Sequence, residues 1–478
     1  MGKYKYLIKN IGLLTISNFG SKILIFLLVP LYTSVLSTAD YGSYDIVITT
    51  INLLLPILTI NISESVMRFS LEKGNNSKET LSIGLKVIVK AWMILALAIV
   101  INNIFNIIVV IKTYSLYMLF LFIVTSLYQL CSQYARGTEK IADLSIAGVI
   151  SSLTMVIMNI LFLLCFKFGI YGFFLANILS HFFAIIYYFF KLKIYKQIVR
   201  TKPLNRFSKS MTDYSKPLIL NSISWWINTA SDRYIVAWMC GVAVNGVYSI
   251  AYKIPSIVEV FQSIFLQAWQ ISAITSYNDD DNEIFFSRIY SIYNLLMVLL
   301  CSSIIIIVKL IAGMMFANEF YEAWVFVPIL LLANIFGAMS GLIGGVFSAV
   351  KDTKIYSYST MIGAIVNIVL NLILIKFVGV IGAAIATAIS YFVVWVIRMV
   401  NAKKYIKLRI NIKRDLVVYF ILVLQAALMI NIDSTKVYIL QLILFISIII
   451  LYYKEISGLL KVLWQYACTK LNMFGGKS

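Results

Sequence analysis

The sequence predicts an all-α polytopic membrane protein of about fourteen transmembrane helices: two pseudo-symmetric six-helix lobes plus two C-terminal helices. Three observations carry this expectation. The 478 residues are 61% hydrophobic and only 13% charged, about half the charged share of a soluble domain, and the mean hydropathy is +0.92. Apolar runs of about 20 residues, the length that crosses a hydrocarbon core, recur along the chain between short polar breaks. Lysine and arginine concentrate in alternate loops.

The runs fall at 11–36, 43–66, 83–111, 115–135, 144–166, 170–190, 217–240, 246–274, 288–308, 323–350, 355–376, 380–400, 415–432 and 436–453. The first, Ile11 to Leu36, exceeds the apolar stretch of a signal peptide and has no small-residue cleavage site, so it reads as a span. Pro30, Pro56, Pro255 and Pro328 lie within runs and are expected to kink their helices. Gly337, Gly341 and Gly345 recur every four residues, a face suited to close helix contact.

With the N-terminus inside, the loops that become cytoplasmic hold most of the 40 Lys and Arg, while the outer loops hold only Lys112, Lys167, Lys309, Lys376 and Lys436. This asymmetry orients the chain with both termini cytoplasmic, as in an inner-membrane protein. Two loops are strongly basic, 191–216 with eight cations and 398–414 with seven. Both read as topology determinants beside anionic lipid. The net charge of +20 is thereby accounted for, and no nucleic-acid partner is expected. Five cysteines without a C-x-x-C pair, and a single histidine, His181, give no metal-site spacing and point to packing roles. No metal and no cofactor is expected.

The chain repeats itself weakly. Gly169-Ile-Tyr-Gly172 through Ser180 matches Gly379-Val-Ile-Gly382 through Ser390, and Ala39-Asp-Tyr-Gly42-Ser-Tyr44 matches Ala243-Val-Asn-Gly246-Val-Tyr248. The two offsets nearly agree. They predict a parallel repeat: a lobe at 1–200, a lobe at 201–400, and two extra helices with a tail at 401–478.

An ionisable group at mid-membrane costs about 2.5–3.5 kcal/mol and usually faces a cavity or a partner. Lys22 lies deep in the first run, Arg233 in the seventh and Lys253 in the eighth. These three are the candidate substrate-binding residues, and cations in a cavity suit an anionic substrate. Asp232 adjoins Arg233 in sequence but points about 100° away on a helix. Asp45 and Glu259 are candidate coupling carboxylates. Glu64 and Arg68 have i,i+4 spacing at a cytoplasmic helix end, where a bridge or a gate would fit.

Ser17-Asn-Phe-Gly20-Ser-Lys22, Pro30-Leu-Tyr-Thr33, Asp40-Tyr-Gly42 and Arg68-Phe69 resemble the polysaccharide-repeat flippases of the multidrug/oligosaccharidyl-lipid/polysaccharide (MOP) exporter superfamily. So does Lys354 to Ser390, with Asn367-Ile-Val-Leu-Asn371 and Gly379-Val-Ile-Gly382-Ala-Ala-Ile-Ala-Thr387. Lys22 carries the charge where this family often has arginine. The resemblance implies an alternating-access transporter, not an enzyme, that moves undecaprenyl-pyrophosphate-linked oligosaccharide from the cytoplasmic to the outer leaflet. Its partners would be the lipid-linked oligosaccharide, membrane lipid, and a polysaccharide polymerase and glycosyltransferases.

Three rivals stand beside this reading. A peptidoglycan lipid-precursor flippase shares the superfamily. A cation-coupled drug exporter should favour carboxylates in its cavity, because its substrates are cationic. A membrane polysaccharide polymerase needs catalytic acids near a sizeable outer loop, and the longest such loop, about 309–322, offers only Glu319 and Glu322.

Overall fold

The computed structural model describes residues 24, 26–72, 76–199, 206–275, 277, 281–350, 352–458 and 461. Among these residues the secondary structure is helical without strands, and eleven helices are long and apolar enough to cross a membrane. The expected run at 11–36 lies largely outside the described residues, and its end is helix α1, Val29–Val35. Each later run falls on a helix or a pair of helices. Two compact units emerge, Met1–Lys253 with Met314–Glu322, and Ile254–Gly313 with Ala323–Ser478.

In the first unit, α2 is Thr38–Leu58, α3 Ile62–Leu71, α4 Ser77–Phe105, α5 Val109–Thr113, α6 Ser115–Gly137, α7 Ile141–Asn159, α8 Gly169–Lys191, α9 Ile194–Gln197, α10 Arg206–Cys240 and α11 Val242–Ala251. A capping box starts α2. The Ser37 hydroxyl accepts from the Asp40 amide, and the Asp40 carboxylate accepts from the Ser37 amide, satisfying two groups that a bare helix end leaves orphaned. Pro56 sits in the last turn of α2, and the chain then passes through Ile60 and Asn61, both with left-handed φ, before α3 begins. One apolar run therefore folds as two helices.

The two members of the shorter sequence repeat meet each other. A Cβ on Gly42 would collide with the Val242 carbonyl, and one on Gly246 would collide with the Thr38 carbonyl. The contact is reciprocal, with each glycine seated on the backbone four residues before the other. Only glycine lets α2 and α11 approach this closely. The longer repeat has its own local parallel: Gly169 and Gly379 both adopt positive φ just where a helix begins, φ 55° and 69°.

In the second unit, α12 is Lys253–Thr275, whose first residue belongs to the first unit. Next come α13 Asn282–Met315, whose last two residues also belong to the first unit, α14 Val327–Ala349, α15 Thr353–Val378, α16 Ile381–Ala402, α17 Ile412–Asn431 and α18 Lys436–Leu451. Gly341 and Gly345 on α14 face Leu266 and Trp269 of α12, and the Trp269 indole donates to the Leu342 carbonyl at 2.7 Å. The last two helices are tied to α13 by buried amides. Gln425 and Gln441 each donate to the other's carbonyl, and Ser302 donates to Gln425 at 2.7 Å.

The prolines correct one expectation. Pro30 and Pro328 occupy the first turn of their helices, and Pro255 is the third residue of α12. There the missing N–H has no intrahelical partner to lose, so these residues start helices and do not kink them.

Candidate functional site

Helix α10 has 35 residues and corresponds to the run at 217–240, but its polar side chains keep it out of the eleven strongly apolar helices. Its most demanding residues are Asp232 and Arg233. Arg233 Nη1 donates to Asp45 Oδ1 at 2.9 Å, with side chains only 22% and 8% exposed. The second Asp45 oxygen accepts from the Ser249 hydroxyl at 2.7 Å and from the Asn245 amide at 3.3 Å, both on α11. The Gly42–Gly246 crossing makes this possible, because it sets α11 close enough for short side chains to reach Asp45.

Asp232 belongs to the same cluster by another route. It accepts from the Tyr248 hydroxyl at 2.8 Å and from the Tyr252 hydroxyl, while its other oxygen accepts from the Arg233 amide at 2.9 Å. The Arg233 guanidinium lies 4.8 Å from the centre of the Tyr252 ring, within cation–π range. Lys253, at the start of α12, is within electrostatic reach of Arg233 and Asp45. Among the described residues, two carboxylates and two cations thus lie within electrostatic range of one another, and this group is formally neutral. Arg233 Nε is buried without a hydrogen-bond partner among the described residues. Burying an unsatisfied charged donor is costly, so Arg233 retains unused capacity to bind an acceptor.

The residues singled out from the sequence divide accordingly. Asp45, Arg233 and Lys253 are brought together. Lys22 lies outside the described residues. Glu259 is on α12 in the second unit, with an exposed side chain. The i,i+4 pair at Glu64 is corrected: Arg68 pairs with Glu72 at 3.4 Å in an exposed bridge, while Glu64 accepts from Gln133 Nε2 at 2.6 Å. Glu72 lies C-terminal to Arg68 on the outward side of the helix end, and Glu64 points instead toward α6.

Sequence reasoning did not assign Asn245, Tyr248, Ser249 and Tyr252 to the site. A signal was present, because Asn245 and Tyr248 lie within the motif that repeats 39–44. That repeat placed the two segments in equivalent positions, but nothing in it said that they touch.

These features define a polytopic helical membrane protein with a buried, charge-balanced cluster inside its first unit. Over most of its length the chain resembles solved MOP-superfamily transporters in fold. With a Lipid II flippase MurJ in an inward closed conformation the TM-score is 0.70 at 16% identity, covering 94% of this chain and 98% of that one. With an inward-facing multidrug resistance MATE transporter of the MOP superfamily it is 0.68 at 12% identity, covering 82% and 94%.

The chain belongs to the polysaccharide biosynthesis protein family, whose model matches residues 7–270. It is also 27% identical over 195 residues to the probable low-salt glycan biosynthesis flippase Agl15 of Haloferax volcanii. That match spans 40% of this chain and 41% of the relative.

Proposed function

We propose that this protein is a flippase that moves an oligosaccharide linked to undecaprenyl pyrophosphate from the cytoplasmic to the outer leaflet by alternating access. Its membrane is the cytoplasmic one, with both chain ends inside. The reading draws support from membership in the polysaccharide biosynthesis protein family and from the glycan flippase relative. The observation that carries it is the buried Arg233, paired with Asp45 yet holding a free Nε donor.

In this scheme the pyrophosphate enters as a second acceptor for a cation that already has one. Asp45 holds Arg233 charged and oriented while no substrate is present. The incoming phosphate oxygens compete with Asp45, with Lys22 and Lys253 supplying further positive charge. An exchange of acceptors avoids leaving a bare charge in a low-dielectric interior at either stage. The two lobes, 1–200 and 201–400, would expose the cluster to each leaflet in turn. Asp45, Glu64, Arg68 and Glu259 are the residues through which gating or ion coupling would act.

The test is accumulation of substrate. Cells depleted of the protein should build up one lipid-linked oligosaccharide on the cytoplasmic leaflet, and wild-type protein should clear it. Accumulation of a peptidoglycan precursor instead would select the rival flippase reading. Accumulation of no lipid-linked sugar would overturn the proposal.

A further inference from the structure

A cationic pocket lies in the other unit and shares no residue with the Arg233 cluster. Three elements converge there: the first turns of α13, the segment between α16 and α17, and the stretch after α18. A pocket of about 370 Å³ is lined by Arg288, Arg409, Lys454, Glu455 and the hydroxyls of Ser287 and Ser291. We propose that this pocket binds the phosphate of an anionic phospholipid.

The charge balance points to an anion. Among the described residues Glu455 is the one carboxylate in the lining; its Oε1 pairs with Arg414, which also holds Asp415 at 3.0 Å, while its Oε2 is buried without a hydrogen-bond partner there. Arg409 contacts Glu283 at 3.5 Å, a long pair that leaves most of its donors open. Arg288 and Lys454 reach no carboxylate within ion-pair distance among the described residues, and both are exposed to solvent. Among the described residues, three cations, Arg288, Arg409 and Lys454, therefore line one concavity with a single acid, Glu455. A bound phosphate would supply the missing counter-charge while accepting from the arginine forks and the Ser291 hydroxyl; the Ser287 hydroxyl already donates to the Glu283 carbonyl.

The pocket is also fixed in shape. The Arg409 amide donates to the Ser287 hydroxyl at 2.8 Å, and Tyr277 donates to the Tyr405 carbonyl at 3.0 Å. The basic segment is thus pinned to the start of α13 and does not trail in solvent.

The surroundings favour a lipid over a soluble anion. All three elements are ends of membrane helices, on the cytoplasmic side in the orientation proposed above, so the cations sit at headgroup depth. Ile292 forms one wall, and the same helix ends expose Ile284, Ile412 and Leu416 at 58%, 37% and 46%. Cations and hydroxyls at the mouth with apolar helix surface beside them match a phosphate joined to acyl chains.

The experiment uses the purified full chain in detergent, with dioleoyl phosphatidylglycerol, dioleoyl phosphatidylcholine and inorganic phosphate as probes. Native mass spectrometry should show phosphatidylglycerol retained several-fold over phosphatidylcholine. The double variant Arg288→Ala/Lys454→Ala should lose that preference. Arg288→Lys/Lys454→Arg should keep it, and Lys376→Ala, at another helix end, should leave it unchanged. An equal preference in wild type and the double alanine variant would overturn the proposal, as would displacement of phosphatidylglycerol by millimolar inorganic phosphate. If the alanine variant elutes as aggregate, the charge-keeping pair decides: loss of preference in that folded variant overturns the site.

Discussion

Arg233 Nη1 lies 2.9 Å from Asp45 Oδ1, joining α10, the helix after the long basic loop, to α2. Asp45 also carries Ser249 and Asn245, so the pair closes a network across three helices. Removing one member of a buried pair strands the other, at about 3–5 kcal/mol. Arg233→Ala should therefore lower the amount of folded protein in membranes. Arg233→Ala/Asp45→Ala should recover much of it, because no charge is then stranded. If Arg233 binds the lipid head, the double variant should still fail to clear lipid-linked sugar. Normal clearance per folded molecule in the double variant would sink the binding role and leave a structural one.

The Gly42–Gly246 crossing supplies a second expectation. A methyl group at either position meets backbone atoms, which cannot swing aside as a side chain can. Gly42→Ala and Gly246→Ala should each cost about 1–3 kcal/mol as overpacking substitutions. Gly337→Ala should cost far less, since its nearest neighbour is the Tyr391 ring at 3.9 Å. Thermal unfolding of the three purified variants checks the order. Equal midpoints for Gly42→Ala and Gly337→Ala would contradict the crossing.

Topology can be read with thiols in a cysteine-free background. Ser434→Cys lies between α17 and α18, is exposed, and should react with an impermeant reagent added to intact cells. Lys407→Cys is exposed between α16 and α17 and should react only after lysis. The reverse pattern would invert the orientation. Asn245 is unsuitable as an outer probe despite its place in a polar break, because it is fully buried against Asp45.

The apolar runs and the charge asymmetry made the helices legible, since hydrophobicity and length are local properties. The site was legible only as single residues. Arg233, Lys253 and Asp45 stood out because charge inside a membrane is costly, but which acid answers which cation depends on a contact between positions 188 residues apart. Helix geometry turned Asp232 away from Arg233 despite their adjacency, and the guanidinium indeed pairs with Asp45. The basic loop 398–414 was legible only in part. It read as a topology determinant beside anionic lipid, yet Arg398 is 2% exposed and the Arg414 side chain 8% exposed. Counting charges in a loop cannot separate those that face the membrane surface from those that hold helices together.

Arg398 provides the last expectation. Its Nε donates to the Ser359 hydroxyl at 2.9 Å, Nη1 to the Ser340 carbonyl at 2.8 Å, and Nη2 to the Thr360 hydroxyl at 2.9 Å. The guanidinium lies 4.0 Å from the centre of the Tyr356 ring. One planar group on α16 thus reaches α14 and α15, and its hydrogen-bond acceptors here are all neutral. A lysine ammonium keeps the charge but is a single point on a flexible stem and cannot present donors in three fixed directions. Arg398→Lys should then destabilise the protein nearly as much as Arg398→Ala, because it buries a charge with fewer partners. Hydrogen bonds to charged groups contribute about 1.5–3 kcal/mol each, so losing two of the three should lower the thermal midpoint measurably. Arg233→Lys should behave differently, since an ammonium can still pair with Asp45. Comparing both lysine variants by thermal unfolding separates a geometric clamp from a charge. If Arg398→Lys unfolds at the wild-type midpoint, the fork geometry is not what holds these three helices.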